Sequence, residues 1–368
     1  MKLYTCSNCK ALLYFENNVC LNCQHLVGFS AEKLSLITLE TNKQNQLVDI
    51  SNKKDVYRYC ENSTHNTCNW LVPSTQIFPF CRACELNRTI PALSTVENMA
   101  RWKRIEIAKH RLVYSLLRLK LPLQAKKGND VNGIAFDFLA DVSPQARVLT
   151  GHDSGTITLN IEEADEAKRT RNKLDLGEKY RTLLGHFRHE VGHYYWEVLI
   201  KNQPALQKFR KLFGDEQKDY SQALQSYYQT GAPSNWMDHF ISPYATAHPW
   251  EDWAETWSHY FHLMDTVETA YAYDIGIQSG EVKLLDLQTR INKDPYVIAD
   301  FPTIIRMWIP LTFAINSLNR SMGHDDFYPF VISESIIEKL QFIHEVCAIN
   351  RLKIPGANES VPAASYSN

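Results

Sequence analysis

His189 and His193 stand four residues apart in the stretch Gly185-His186-Phe187-Arg188-His189-Glu190-Val191-Gly192-His193-Tyr194-Tyr195-Trp196. On a helix that spacing brings two imidazoles onto one face, where both reach one ion, and sets Glu190 one step round, facing an open coordination position. A metal there would lower the pKa of water, and the carboxylate would take the proton. Two His and one Glu at fixed positions arise by chance in roughly 1% of chains of this length, so the surrounding sequence has to decide.

The surroundings supply a third ligand. His248-Pro249-Trp250-Glu251-Asp252-Trp253-Ala254-Glu255-Thr256-Trp257 starts like a helix at Pro249 and puts Glu251 and Glu255 one turn apart on one face. Glu251 completes a set of two His and one carboxylate, with Glu255 or Asp252 next in line. Glu255 is placed to accept the second N–H of a metal-bound imidazole, which fixes the tautomer. Trp250, Trp253 and Trp257 imply burial, and buried paired carboxylates need a cation. Zinc is the expected ion, although two His and one carboxylate also suit non-haem iron. Around this centre, His152 and Asp153 sit in a Gly-bounded turn, as a loop cap or part of the rim, and His186 reads as a surface or packing residue. His259 shares the Glu255 face, and Cys347 reads as a buried core thiol.

Eight of the nine cysteines lie within residues 6–84. Cys6-x-x-Cys9 and Cys20-x-x-Cys23 make two knuckles that close a tetrahedron around structural zinc. Cys60, Cys68, Cys81 and Cys84 give a second, looser set, in which His65 could replace one thiolate. Without an apolar leader at the start, a reducing compartment favours metal over disulfides.

Elements must position these groups. Residues 94–121 have helical spacing, capped by Ser94 or Thr95, and over 97–127 nine Lys/Arg face two Asp/Glu, a solvated face or a seat for an acidic partner. Residues 134–139, 148–150 and 156–161 read as short strands with 151–155 a turn, together a small antiparallel sheet whose strand 156–161 is the edge for substrate. Apolar Leu184, Phe187, Val191, Tyr195 and Val198 make the His189–His193 segment an amphipathic helix. The chain from about 162 to 350 reads as helices, and Pro355 to Asn368 as a disordered tail. The expected fold is α+β. It comprises a double zinc-ribbon unit over 1–90, a basic linker helix over 91–130, a mainly helical zincin-like domain over 131–350 and a tail over 351–368.

The 368 residues carry 39 Lys+Arg against 41 Asp+Glu. That balance excludes a whole-chain basic field for nucleic acid or anionic membrane. Residues 1–90 hold nine Lys/Arg and seven Asp/Glu, and two ions each bound by four thiolates bring that +2 to about −2, the wrong sign for phosphate. No apolar run is long enough to span a membrane, and a cytoplasmic protein is expected.

The sequence resembles the bacterial family of zinc-binding metallopeptidases in which a zinc-ribbon region precedes a gluzincin-type domain. The resemblance rests on Tyr59-Cys60 through Cys68-Asn69-Trp70-Leu71-Val72-Pro73, on Leu149-Thr150-Gly151-His152-Asp153, and on the two stretches around His189 and Glu251. It covers nearly the whole chain and implies a zinc peptidase fold without naming a substrate. The second stretch also resembles lethal-factor-like metallopeptidases, in which a Tyr a few residues before the ligand Glu helps hold the oxyanion; Tyr244 stands in a comparable place. Glu255 departs from thermolysin-like gluzincins, where Asp is common. The expected function is hydrolysis of peptide amides in a peptide or protein substrate, with one catalytic and two structural zincs and a protein partner possible at the ribbons. The alternatives are a catalytically silent adaptor and a zinc amidase acting on a non-protein amide.

Overall fold

The computed structural model describes residues 2–128, 130, 132–141, 148–175, 181–278 and 287–352; the expected disordered tail lies outside them except for residues 351–352, which end the last helix. The chain begins with a hairpin of β1 (Tyr4–Thr5) and β2 (Leu12–Leu13). Each Cys-x-x-Cys knuckle ends on a residue in the left-handed region, Lys10 at φ 62° and Gln24 at φ 61°. Their N–H groups donate to the carbonyls of Cys6 and Cys20 at 2.9 and 2.8 Å, so one turn geometry is used twice.

From Leu26 to Pro73 runs a five-stranded antiparallel meander that cysteine spacing did not announce, its last strand lying inside the second cysteine set. It consists of β3 (Leu26–Ser30), β4 (Ser35–Thr41), β5 (Leu47–Asp49), β6 (Val56–Tyr59) and β7 (Leu71–Pro73), in that order. Its two ends return to each other: Phe29 N–H donates to the Asn69 carbonyl at 3.0 Å. A Cβ on Gly28 would sit 2.9 Å from that same carbonyl oxygen, so only glycine permits the approach. Phe15, Phe29, Trp70 and Tyr114 close the space beneath with edge-to-face and tilted contacts.

Tyr114 belongs to α1 (Val96–Arg118), which Thr95 caps by accepting from Asn98 N–H at 3.2 Å. The helix keeps a solvated face only over its first half, where Val96, Glu97, Ala100, Lys103 and Arg104 are exposed. Its cations meet acids of the same chain: Lys109 pairs with Glu106, both fully buried, at 2.9 Å, Arg101 with Asp165 at 2.7 Å, and Arg111 with Glu16 at 2.6 Å. Arg118 reaches Glu268 at 2.8 Å and Asp294 at 2.5 Å. These are four of the nine cations in the basic block, and three of them meet acids that lie far away in the sequence, where a linear count cannot see them.

The small sheet contains β8 (Asn87–Thr89), β9 (Ala135–Leu139), β10 (Gly151–Asp153) and β11 (Thr156–Asn160), ordered β10-β11-β9-β8. Only β10 and β11 are antiparallel, and β9 runs parallel to both β11 and β8. The sheet is thus mixed rather than antiparallel, because β8 arrives from the cysteine-rich region and the connection from β9 to β11 is long enough to cross over. The hairpin turn is Ser154-Gly155, at φ 48° and 80°, not 151–155 as expected. Among the described residues β10 is the edge strand beside the helices, whereas 156–160 lies inside the sheet.

Helices follow: α2 (Glu166–Asp175), α3 (Leu183–Leu199), α4 (Leu206–Phe213), α5 (Tyr220–Thr230), α6 (Pro249–Ala272), α7 (Phe301–Ser321) and α8 (Glu334–Leu352). Most buried apolar side chains form one continuous core from Tyr4 in the hairpin to Cys347 in α8, while Ile37, Leu39, Tyr57 and Leu71 form a separate small cluster on the meander. At its centre α3 packs on α6. Tyr195 stacks on Trp257 at 5.1 Å, and the Trp253 indole N–H donates to the Gly192 carbonyl at 2.8 Å. The architecture is α+β: a cysteine-rich region with sheets, then a mainly helical part carrying a small sheet.

Candidate metal centres and cleft

Thr182 caps α3 by accepting from Gly185 N–H at 2.9 Å, and the helix buries Phe187, Val191, Tyr195 and Leu199. This burial fixes its rotation, so His189 and His193 point the other way, toward the start of α6. There His248 serves as N-cap, accepting from Trp250 N–H at 3.1 Å, and Pro249 opens the helix as its sequence predicts. Gly192 sets the spacing between the two helices. A Cβ there would lie 3.0 Å from the Ala254 Cα and 3.2 Å from the Trp257 ring, so the glycine inside the His189–His193 motif admits α6.

The result is a converging donor set. His189 Nε2 lies 3.2 Å from His193 Nε2 and 3.0 Å from Glu251 Oε2, and His193 Nε2 lies 3.6 Å from the same oxygen. Glu251 is 1% exposed, a carboxylate that burial would not tolerate without cationic company. Burial works against its ionisation, yet His193 and His189 hold its pKa well below the ordinary value. These three residues form a group able to hold one metal ion.

Supporting contacts fix their orientation. His189 Nδ1 lies 2.7 Å from Glu255 Oε1, and Ser242 donates to Glu255 Oε2 at 2.6 Å. Tyr220, at the start of α5, donates to Glu251 Oε1 at 2.6 Å. Asp252 turns away to pair with Lys339 at 2.6 Å, while Glu251 lies against Nε2 of His189 and Glu255 against its Nδ1. Tyr220 and Ser242 escaped the sequence reading, since both sit in the weakly patterned stretch between α4 and α6.

A cleft of about 230 Å³ opens over the group, lined by Thr150, His152, Glu190, Glu197, Tyr244 and Trp250 as well as the three donors. Burial raises the Glu190 carboxyl above its usual range, while the flanking His189 and His193 pull it back. Tyr244 stands with its ring 6.1 Å from that of His189, its phenol pushed up by burial and then by Glu251. His152, on the free edge strand, accepts from Gly155 N–H through Nε2 at 2.9 Å and faces the His193 ring at 6.3 Å. It is a cleft residue as well as a turn lock, whereas Asp153 only caps the turn through Ser154. His186 turns toward Glu163 at 3.4 Å, and His259 meets Tyr328 at 2.6 Å while still feeling the charge of Glu255.

Both cysteine sets gather. Within the first, Cys6 and Cys23 sulfurs are 3.6 Å apart and Cys9 and Cys20 3.5 Å; within the second, Cys68 and Cys81 are 3.7 Å apart. The edge of a tetrahedron of zinc-bound sulfurs is about 3.8 Å, so both sets fit structural zinc. His65 does not join the second set; it lies over Trp102 at 5.7 Å. His110 of α1 is the imidazole beside those sulfurs, a residue that the sequence reading missed.

Comparison with known sequences agrees with this geometry. Residues 98–346 match the family described as "Putative zinc-binding metallo-peptidase", and residues 3–95 match a zinc-ribbon domain family. The chain belongs to that zinc-binding metallopeptidase family. It is 40% identical over 347 residues to uncharacterised proteins of Mycobacterium tuberculosis and Mycobacterium bovis, covering 94% of this chain and 95% of each relative. No solved structure matches it. No helix among the described residues is long and apolar enough to cross a membrane.

Proposed function

We propose that the chain is a gluzincin-type zinc peptidase whose ion is held by His189, His193 and Glu251. The convergence of these three donors over a cleft that also contains Glu190 carries the reading. Zinc bound there supplies Lewis acidity, activating water and polarising the scissile carbonyl.

The chain's own groups do the rest. Glu190 takes a proton from the attacking water and passes it to the leaving amine, a role that its raised pKa suits. Tyr244 keeps its phenol proton and donates it as a hydrogen bond to the developing oxyanion. Glu255 holds His189 in the tautomer that leaves Nε2 free, and Tyr220 holds Glu251. The edge of β10, reaching the cleft through Gly151 and His152, offers backbone groups for an extended peptide.

The test is digestion of an unbiased peptide library by zinc-loaded protein, read by mass spectrometry as new termini, beside Glu190→Gln. Cleavage by the wild type and its loss in Glu190→Gln, with zinc retained, supports the reading. Equal cleavage by both proteins would sink the mechanism, and no cleavage by a fully zinc-loaded wild type would sink peptide hydrolysis.

A further inference from the structure

The second cysteine cluster has more donors than a zinc ion takes. Its four sulfurs lie together, and a second donor group shares Cys84 with Glu106 and His110. His110 is 4% exposed, and its Nδ1–H donates to the Glu106 carbonyl at 2.6 Å. A carbonyl can only accept, so in the neutral ring the lone pair is on Nε2. That atom points into the cluster, 3.2 Å from Cys68 Sγ and 3.7 Å from Cys84 Sγ, distances close to a tetrahedral edge. An imidazole tied through one nitrogen to a backbone carbonyl, with the other aimed at a metal position, is the arrangement of a ligating histidine.

The sulfurs are not equivalent. Cys60, Cys81 and Cys84 are buried, whereas Cys68 is half-buried and lines a cavity of about 590 Å³ between the cysteine-rich region and α1. Tyr59, Lys103 and His110 line the same cavity. Trp70 N–H donates to Cys68 Sγ at 3.3 Å, a contact that steadies a thiolate on or off an ion. Charge points the same way. Zinc with four thiolates carries −2 in a site whose nearest buried ions, Lys109 and Glu106, already neutralise each other, and replacing one thiolate by imidazole halves that buried charge.

We propose that the second cluster is a five-donor site in which His110 and Cys68 are interchangeable zinc ligands, so that Cys68 is a thiol able to leave the ion and react with an electrophile entering the cavity. The inference rests on zinc at this cluster and not on the peptidase reading. Cys9 and Cys23 are internal controls. They are half-buried too, but among the described residues no imidazole joins their donor group.

Two measurements test it on the full-length, zinc-loaded protein. The first is metal content in Cys68→Ala, His110→Ala and the double variant. Each single variant keeps the wild-type number of zincs per chain, and the double variant has one fewer. The second is brief treatment of the wild type with iodoacetamide, in which the Cys68 sulfur displaces iodide from carbon, the thiol proton going to solvent and iodide leaving with the bonding pair. Peptide mapping is expected to find Cys68 alkylated at least tenfold faster than Cys9, Cys23, Cys60, Cys81 or Cys84, with no zinc lost. Loss of one zinc in either single variant overturns the exchange. Labelling of Cys68 no faster than of Cys9 and Cys23 overturns it in the unaltered protein, free of any question of folding.

Discussion

His189 Nδ1 lies 2.7 Å from Glu255 Oε1, and the other oxygen of that carboxylate accepts from Ser242 at 2.6 Å. Glu255 is thus spent on holding an imidazole, one helical turn beyond the carboxylate that converges with it. Removing such a partner weakens metal binding by about 10- to 100-fold. We expect Glu255→Ala to lower zinc affinity at the His189 site by that factor, measured by competition with a chelator, while the more tightly held cysteine-bound zincs stay in place. Unchanged affinity would refute the supporting role.

Gly192 makes a second prediction from contact alone. Its missing side chain leaves room for α6, since a Cβ would fall 3.0 Å from the Ala254 Cα. Alanine gains about 1 kcal/mol in helix propensity over glycine, and overpacking against backbone costs about 1–3 kcal/mol. Gly192→Ala is therefore expected to lower the unfolding midpoint and, by moving α3 against α6, to weaken zinc binding at the His189 site. A variant as stable as wild type with full zinc affinity would show that the helices have slack.

These two cases show what a linear pattern carries. The converging donors were legible because α3 and α6 are long amphipathic helices in which spacing fixes direction: His189 to His193, and Glu251 to Glu255. The knuckles at Cys6 and Cys20 were legible for a related reason, as a local turn determines the geometry. Tyr220, Ser242 and His110 were not, because each reaches its site from a different element and its role depends on packing across the fold. The sheet was read partly wrongly on the same ground. Period-two runs identify strands, but only the connection from β9 to β11 and the arrival of β8 make it mixed.

Acid stability should carry the mark of His259. The ring is 5% exposed, against Tyr328 and Phe330, and burial holds its pKa down at about 4. Unfolded, it titrates near 6.5, so between those values the unfolded chain binds more protons. The stability it contributes is present above pH 6.5 and is lost as the pH falls toward 4, at up to about 1.4 kcal/mol per unit. His259→Gln should therefore show a shallower loss than wild type across pH 6.5 to 4, by about one proton in the slope of unfolding free energy from urea titrations. Parallel slopes would mean that the ring is protonated in the fold.

The pair of Asp252 and Lys339 gives the sharpest test of the α6 anchorage. Their side chains are 1% and 5% exposed and meet at 2.6 Å, and Lys339 also donates to the His239 carbonyl at 2.7 Å. Asp252 follows Glu251 directly, so this bond holds the first turn of α6 onto α8 and with it the direction of the converging carboxylate. Breaking a buried pair from one side strands the other charge and costs about 3–5 kcal/mol, whereas removing both charges costs far less. Lys339→Met alone is expected to lose stability in that range and to loosen zinc at the His189 site. Asp252→Asn with Lys339→Met should recover at least half of the stability, because the stranded carboxylate is gone. If the double variant is no more stable than Lys339→Met, the loss comes from the lysine's packing and its bond to His239, and the ion pair is not what secures α6.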